Sequence, residues 1–307
     1  MKLHEHDKYN GSLRAKKSFF AFENRIICLG SDIENSLEDA HVHTTLFQNQ
    51  YDPRICRFWH GVDKDTCNIL DNGRIIRDRN LCVYFIKDAK VNYTNGTQYS
   101  LHEETDARTK GEFQLAYIDH GDVLKNGKYE YMVLLPTPES LSLAYASWGK
   151  EELTKYSENL PYTVLRRDSA VHGVEDHLSG TRAVAVFEEG AVDSLIVSSS
   201  PALVMYSLED EQMTLSASNP DLALYEGPSD EKFDADGKRI ERSVYGREWI
   251  DNPCGETEIS ITLDGLWELA DGKDCQVSVS RDNRQTTLVF KSKEARTEEI
   301  ILKRVAL

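Results

Sequence analysis

The sequence predicts an all-β protein made of antiparallel β-sandwiches, and three observations support this. First, two short runs rich in aromatic and β-branched residues, 15–22 and 26–31, flank a polar break of three residues, which is the pattern of a β-hairpin. Second, from residue 162 onward short apolar runs alternate with turn residues, as a β-sandwich requires. Third, the chain contains a single convincing helical pattern. Helix therefore has a minor role in the expected fold.

Further strands follow the hairpin in the first half of the chain. Residues 32–39 are polar and predict a loop, after which residues 44–48 predict a third strand. Residues 81–86 are uniformly apolar, which is typical of a strand buried on both faces. Runs 114–118 and 129–135 predict a second hairpin-like pair across the intervening turn. The first half is thus expected to be antiparallel β-sheet.

The helical pattern begins at Thr137, which suits the N-cap of a helix. Pro138 then occupies the first helical position and Glu139 the first turn, both favoured there. Apolar side chains recur at helical spacing as far as Trp148. We expect one helix over residues 138–148, connecting two domains.

The second half predicts a further β-sandwich. Its expected strands are 164–166, 182–187, 195–198, 202–207, 213–217, 258–263, 275–280, 286–291 and 298–303. The polar segment 226–258 interrupts this series and predicts a long loop. We therefore divide the chain into a larger β-domain with the connecting helix, residues 1–158, and a smaller C-terminal β-sandwich, residues 159–307.

The charge composition of the chain limits the kinds of molecule that it is expected to bind. The chain has 307 residues, with 36 Lys and Arg against 52 Asp and Glu, a formal net charge of −16. Such a surface repels nucleic acid and anionic membranes, so neither is an expected partner. No apolar run is long enough to span a bilayer, and the N-terminus lacks the apolar core of a signal peptide. Six scattered cysteines form no CxxC pair, and we expect buried thiols such as Cys28 and Cys82 rather than disulfides or a zinc site.

Several segments also carry a resemblance to a known family. They read KSFFAFENRIICLGSDI, TTLFQ, AYIDHG, YEYMVLLP, YTVLRRD and SNPDL, in this order along the chain. With these six segments the chain resembles polysaccharide lyase family 8. It most resembles the chondroitin sulfate ABC lyases, in the β-sheet part that follows their catalytic domain. One departure is Val42-His43 before Thr44, where the family more usually has an acidic residue.

The resemblance implies a super-sandwich domain followed by a smaller β-sandwich. It also implies that the parent reaction is β-elimination of a uronate-containing glycosaminoglycan. The catalytic Asn, His, Tyr, Arg and Glu of the family lie upstream, on a helical toroid or on earlier β-segments, so no catalytic residue is expected here. We expect Met1 to be an internal start, the upstream toroid to be the partner, and the parent enzyme to be secreted or periplasmic.

Two histidine pairs could present imidazoles on one face of a strand, namely His41 with His43 and His4 with His6. Neither pair has a third ligand nearby in sequence, which favours solvated loop histidines, and we predict no metal site. Asp234 and Asp236 suggest a calcium loop, but Glu241 follows at the wrong spacing, which favours a turn. No cofactor is expected, with calcium kept only as an open alternative.

One basic and aromatic cluster stands out in the acidic chain, formed by Arg54, Arg57, Trp59 and His60. An aromatic ring can stack on a sugar and arginine can hold a sulfate or carboxylate, so these residues are our candidate carbohydrate-binding site. The other interpretation packs the aromatic rings beneath a loop with the arginines outside. His120 is read as a satisfied histidine at a strand end.

Two functions follow from the sequence. The first is the non-catalytic C-terminal β portion of a glycosaminoglycan lyase, inactive alone. The alternative is a free-standing carbohydrate-binding β-sandwich protein. Under the first hypothesis, residues 17–22 or a neighbouring strand are expected to form an open edge, with part of an apolar face uncovered. Because neighbouring residues of a strand point to opposite faces, at least one of Phe19, Phe20 and Phe22 is expected to face away from the others.

Overall fold

A computed structural model describes most of the chain. The described residues are 1–4, 12–51, 69–70, 74–78, 80–89, 91–102, 105, 107–136, 158–191, 196–198, 201–221, 233–236, 255–272 and 275–305. All twenty-two regular elements in them are β-strands, and every strand pair with a defined register is antiparallel. The all-β prediction is therefore confirmed. No helix in this part of the chain is long and apolar enough to cross a membrane. The helix predicted over residues 138–148 lies outside the described residues.

The chain divides into two compact units. The first contains residues 1–169 together with 176–179, and the second contains residues 170–175 together with 180–307. The strands of the first unit are β1 Lys2–His4, β2 Arg14–Phe22, β3 Arg25–Asn35, β4 His43–Gln50, β5 Ile69–Leu70, β6 Ile75–Arg77, β7 Val83–Lys87, β8 Val91–Leu101, β9 Arg108–Asp119, β10 Leu124–Leu134 and β11 Tyr162–Arg167.

Two sheets form the first unit's core. One has the order β1-β2-β3-β10-β7-β6-β5, and the other has the order β4-β9-β8. Side chains from both sheets, among them Tyr84 and Tyr131 from the first and Phe47 and Ile118 from the second, are buried in one apolar cluster. The predicted hairpin 15–31 is present as β2 and β3, whose residues pair from Arg14 to Phe22.

The alternation along β2 explains the aromatic run. Phe20 and Phe22 are buried, whereas Phe19 is 56% exposed, because neighbouring residues of a strand point to opposite faces. The expectation that one of the three phenylalanines faces away is therefore confirmed. On the outer side of β2, β1 pairs only with Arg14 to Lys16, and among the described residues the rest of that edge has no partner strand.

The second predicted hairpin is wrong in one respect. Strands β9 and β10 exist, but they do not pair with each other. β9 lies between β4 and β8, while β10 lies between β3 and β7 in the other sheet. The short connection after Asp119 therefore crosses from one sheet to the other, which local sequence spacing does not reveal.

Close packing accompanies the β3–β10 pair. Gly30 is paired with Tyr129, and a Cβ atom at Gly30 would lie 2.2 Å from Cε1 of the tyrosine ring. Tyr129 is 3% exposed, so its ring has no solvent into which to move. Glycine is required here because the ring occupies the space of a side chain.

The second unit is also a sandwich. Its strands are β12 Val171–Asp176, whose last residue is counted with the first unit, β13 Thr181–Val186, β14 Gly190–Ala191, β15 Ile196–Ser198, β16 Ala202–Glu209, β17 Gln212–Ser218, β18 Glu256–Asp264, β19 Trp267–Asp271, β20 Cys275–Ser280, β21 Gln285–Lys293 and β22 Glu298–Arg304. The order β12-β13-β16-β17-β22-β19 describes one layer and β14-β15-β18-β21-β20 the other. Ile261, Trp267 and Phe290 are central to the buried apolar cluster of this unit. Strands β12, β14 and β19 of this unit were missed from the sequence.

Candidate functional site

Polar side chains converge where the start of β4 meets the end of β9. His43 is paired with Asp119 in the sheet register. Beyond this pair, the amide of Val42 donates to the carbonyl of Gly121 at 2.9 Å, and the amide of His120 donates to the carbonyl of Val42 at 2.9 Å. The backbone carrying residues 41–43 is therefore held against the β9 end. Residues i and i+2 of an extended segment share a face, so the sequence His41-Val42-His43 sends both imidazoles to the same side.

Asp119 is the centre of this histidine cluster. Its Oδ1 lies 3.5 Å from Nδ1 of His41 and 3.7 Å from Nε2 of His43. The other ring nitrogen of His41, Nε2, lies 2.8 Å from Oδ1 of Asp122 in the following turn. That Asp122 oxygen is inaccessible to solvent and accepts no hydrogen bond of good geometry among the described residues, so its close approach to the ring is electrostatic. The cluster thus contains two imidazoles and two carboxylates.

The Asp119 carboxylate is ionised at neutral pH. The amide of Gly121 donates to its Oδ1 at 2.8 Å, and this bond, with smaller contributions from His41 and His43, holds the pKa of Asp119 below its ordinary value. A backbone donor favours the charged form of a carboxylate because that form accepts the bond more strongly. Asp119 therefore presents a fixed negative charge to the two histidines.

Neighbouring rings complete the surroundings of the cluster. His43 packs on Tyr117 with ring centroids 4.2 Å apart and an interplanar angle of 31°. His120 points elsewhere, with Nε2 2.8 Å from Oγ1 of Thr44, and burial is the main reason that its pKa lies below the ordinary value. A neutral His120 hydrogen-bonded to a hydroxyl fits the satisfied histidine that the sequence suggested.

The cluster can hold a metal ion. One ligand atom from each of His41, His43 and Asp119 lies within 4.8 Å of the other two, and all three side chains are accessible. The sequence singled out the two histidines but not Asp119, which is distant along the chain. Pairing the TTLFQ strand with the AYIDHG strand would have located it, but nothing in local spacing indicates that pairing.

A second polar group lies in the interior of the same unit, around Glu130. Tyr162 donates its hydroxyl to Oε1 at 3.1 Å, while Arg167 Nη1 lies 3.3 Å from Oε2 and Lys87 Nζ lies 3.3 Å from Oε1. Glu130 and Tyr162 are 5% exposed. Burial, then the neighbouring carboxylate, raises the pKa of Tyr162 far above its ordinary value. The Tyr162 hydroxyl is buried and already bonded to Glu130, so it is not presented to an external substrate.

A shallow groove borders the first three strands. It has a volume of about 380 Å³, and its lining includes the basic side chains of Lys2, His4, Arg14 and Lys16 together with two acidic residues. Its lining is largely apolar and carries three Lys or Arg side chains against the two acids, a small local excess of positive charge in a chain of net charge −16. The predicted carbohydrate-binding residues Arg54, Arg57, Trp59 and His60 lie outside the described residues.

The other sequence candidates can be placed in part. Asp236 donates its amide to Oδ1 of Asp234 at 3.0 Å, which is the turn expected there, whereas Glu241 lies outside the described residues. His6 is likewise outside them. Cys28, Cys82 and Cys275 carry free thiols.

Comparison with known proteins identifies both sandwiches. Residues 1–145 match the super-sandwich domain of polysaccharide lyase family 8, and residues 163–224 match the C-terminal β-sandwich domain of the same family. These two matches take up more than half of the chain. The chain therefore belongs to polysaccharide lyase family 8.

Curated relatives agree with this assignment. The chain is 37% identical to a chondroitin sulfate ABC exolyase of Bacteroides thetaiotaomicron, over 99% of this chain and 29% of the relative. It is 35% identical to a chondroitin sulfate ABC exolyase of Proteus vulgaris, over 88% of this chain and 26% of that relative. The chain thus spans less than a third of the length of these relatives.

Solved structures share the fold. A Paenibacillus xanthan lyase matches all of this chain and 27% of its own, with a TM-score of 0.68 and 15% identity. The Streptomyces coelicolor A3 chondroitin AC lyase, solved in complex with chondroitin sulphate, matches 96% of this chain and 33% of its own, with a TM-score of 0.61 and 15% identity. At such identity the likeness concerns the fold alone.

Proposed function

We propose that this chain is the non-catalytic C-terminal β portion of a glycosaminoglycan lyase, whose parent reaction is β-elimination of a uronate-containing polysaccharide such as chondroitin sulfate. The observation that carries the proposal is the coverage. A chondroitin sulfate ABC exolyase aligns with nearly the whole chain, which accounts for only 29% of that relative. The remaining length of the relative provides room for a separate catalytic part, and that part is the proposed partner.

The chemistry of the described residues supports the same assignment. Elimination next to a carboxylate needs a base, an acid for the leaving oxygen and a group that neutralises the carboxylate, all within reach of one another. The interior group around Glu130 contains a tyrosine, an arginine and a carboxylate, but its tyrosine is 5% exposed and strongly held in the neutral form. The accessible histidine cluster has two carboxylates, which repel a polyanionic substrate.

The edge of β2 supports docking of the partner. Phe19 is 56% exposed on the strand whose outer edge is paired only at its beginning. Unpaired strand edges and exposed aromatic side chains are features that proteins normally cover. The proposal assigns this edge to the catalytic part of the parent enzyme, which would be secreted or periplasmic.

The test is reconstitution of activity. The chain alone, incubated with chondroitin sulfate, is expected to produce no absorbance from unsaturated uronate. Adding the separately produced catalytic part of the Bacteroides thetaiotaomicron exolyase should give a complex and lyase activity above that of the catalytic part alone. Phe19→Ser should weaken the complex, whereas Leu203→Ser, an exposed change in the second unit, should not. Sustained turnover by the chain alone would contradict the proposal.

A second candidate function, carbohydrate binding by the chain itself, is favoured by the groove beside β1 and β2, where Lys2, Arg14 and Lys16 outnumber the two acidic residues. Basic side chains bind sulfate and carboxylate groups in a salt-dependent manner. Binding of chondroitin sulfate by the chain at low ionic strength, weakened by Lys2→Glu and Arg14→Glu, would support this function. Equal retention of the variants and the unaltered chain on a chondroitin sulfate column would exclude the groove as the carbohydrate-binding site.

A further inference from the structure

We propose that His41, His43 and Asp119 form a binding site for a divalent transition metal ion, best matched by Zn²⁺, with Asp122 as an outer partner of His41. The sequence provides two histidines, and the pairing of β4 with β9 adds the third ligand that the sequence lacked. This inference is independent of the proposed function, because it concerns a site on the chain itself.

The first argument is geometric. Zinc bonds of about 2.0–2.2 Å to nitrogen and oxygen, arranged tetrahedrally, place neighbouring ligand atoms about 3.3 Å apart. The distances from Asp119 Oδ1 to His41 Nδ1 and to His43 Nε2 are 3.5 and 3.7 Å. These two separations are within a few tenths of an ångström of that value, and the two histidine nitrogens lie within 4.8 Å of each other, so rotation of accessible side chains would bring the three atoms together around an ion.

The second argument is the chemical character of the ligands. Imidazole suits zinc, copper and nickel, whereas calcium and magnesium prefer sites made only of oxygen. Two histidines and one carboxylate leave at least one position open for water or another ligand. The side chains of His41, His43 and Asp119 are 57, 38 and 35% exposed, so an ion can enter from solvent without any rearrangement of the fold.

The third argument is preorganisation. Metal-bound histidines commonly place a carboxylate at the ring nitrogen that does not bind the metal, which fixes the ring and increases its basicity. Asp122 Oδ1 lies 2.8 Å from Nε2 of His41 when Nδ1 faces Asp119, close to this position although without hydrogen-bond geometry. Tyr117 packs on the ring of His43, and the Gly121 amide holds Asp119. Each ligand is thus oriented by a different neighbour.

The competing explanation is a purely ionic cluster, in which protonated histidines pair with Asp119 and Asp122. The two explanations differ in what an added metal does. A metal site binds one equivalent of ion and loses affinity when any ligand is removed, whereas an ionic cluster has no stoichiometric affinity for cations.

Zn²⁺ titration in competition with a chromophoric chelator at neutral pH tests the proposal on the full chain. The unaltered protein should bind one Zn²⁺, and His41→Ala, His43→Ala and Asp119→Asn should each weaken binding by on the order of 100-fold, with Asp122→Asn weakening it by about 10-fold. His102→Ala, which changes an exposed histidine elsewhere, is the matched control and should leave the affinity unchanged.

Binding of Zn²⁺ by cysteine thiols elsewhere in the chain would imitate the proposed site, and Co²⁺ shows by its absorption spectrum whether thiolates are ligands. Burial is the main reason that the pKa of Cys28 is raised to about 12 and that of Cys82 to about 11, which makes these thiols poor ligands at neutral pH. The Co²⁺ complex should therefore lack thiolate charge-transfer absorption. In the unaltered protein, nuclear magnetic resonance should show Zn²⁺ shifting the ring signals of His41 and His43. Zn²⁺ affinity that is the same in all variants, or ring signals that do not respond, would overturn the proposal.

Discussion

Arg25 and Asp176 form a buried, bidentate ion pair within the first compact unit, although they are 151 positions apart in the sequence. Nε and Nη2 of the arginine donate to Oδ1 and Oδ2 of the aspartate, each at 3.1 Å. The side chains are 4% and 0% exposed. Ser179 donates to Oδ2 through its amide and its hydroxyl, so the buried carboxylate is well supplied with donors.

Removing one partner of this pair should destabilise the protein strongly. Arg25→Met leaves a buried carboxylate without its cation, which costs about 3–5 kcal/mol in the free energy of unfolding. The free energy can be measured by urea denaturation of both proteins. Arg296→Met is the matched control, because Arg296 pairs with Glu294 on the surface, where the two side chains are 73 and 52% exposed. Its loss should cost no more than about 1 kcal/mol, and equal effects would contradict the buried pair.

The same carboxylate predicts how stability changes in acid. Burial alone would raise the pKa of Asp176, but the bonds from Arg25 and Ser179 outweigh it, so the pKa lies below its ordinary value. Its contribution to stability is therefore fully present above the unfolded pKa of about 3.9 and is lost as the pH falls through the lower folded pKa. The stability difference between the unaltered protein and Asp176→Asn should be constant near neutral pH and shrink below about pH 4. An unchanged difference in acid would show that Asp176 does not titrate in this way.

Gly30 gives a test of close packing in the first unit. Alanine at this position places Cβ within the ring of Tyr129, so Gly30→Ala should destabilise the protein by about 1–3 kcal/mol. Tyr129→Leu should relieve the conflict, and the cost of Gly30→Ala should be smaller in that background. Thermal unfolding of the four proteins of this cycle measures the coupling. Additive effects of the two substitutions would mean that the strain at Gly30 has another source.

Trp267 tests the core of the second unit. Its ring is 1% exposed, and Nε1 donates to the carbonyl of Asp264 at 2.9 Å. Trp267→Ala should lower the free energy of unfolding by about 3–5 kcal/mol, because it opens a cavity and leaves the carbonyl without its donor. Leu203→Ala, at a leucine that is 46% exposed, is the control and should have a small effect. Denaturant midpoints of the two variants provide the comparison, and similar midpoints would contradict the central place of Trp267.

Most of the fold was predictable from local pattern, because alternation and turn residues are local properties. The run 275–280 corresponds to β20 Cys275–Ser280, and the hairpin 15–31 corresponds to β2 and β3. Trp267–Asp271 was missed because four of its five residues are exposed, so it lacks an apolar alternation. The separation of β9 from β10 was missed because sheet membership depends on distant partners.

The candidate site was predictable only in part for the same reason. His41 and His43 are recognisable as a pair because their spacing places them on one face of an extended segment. Asp119 joins them through the register of β4 and β9, and Asp122 through the turn that follows. Registers between distant strands are tertiary information, which a single sequence expresses only weakly.

The position of β10 between β3 and β7 has a consequence for how the protein is made. During synthesis β2 and β3 leave the ribosome before β10 does, so the strand that covers the inner edge of β3 is not complete until Leu134 has been added. Until then, nascent chains expose the apolar residues of β3 along an unpaired edge. Closing the long loop between β3 and β10 is also slow, because the conformational entropy of that loop must be lost before the new contacts form. In the interval before β10 arrives, the apolar edge of β3 is therefore open to pairing with other chains.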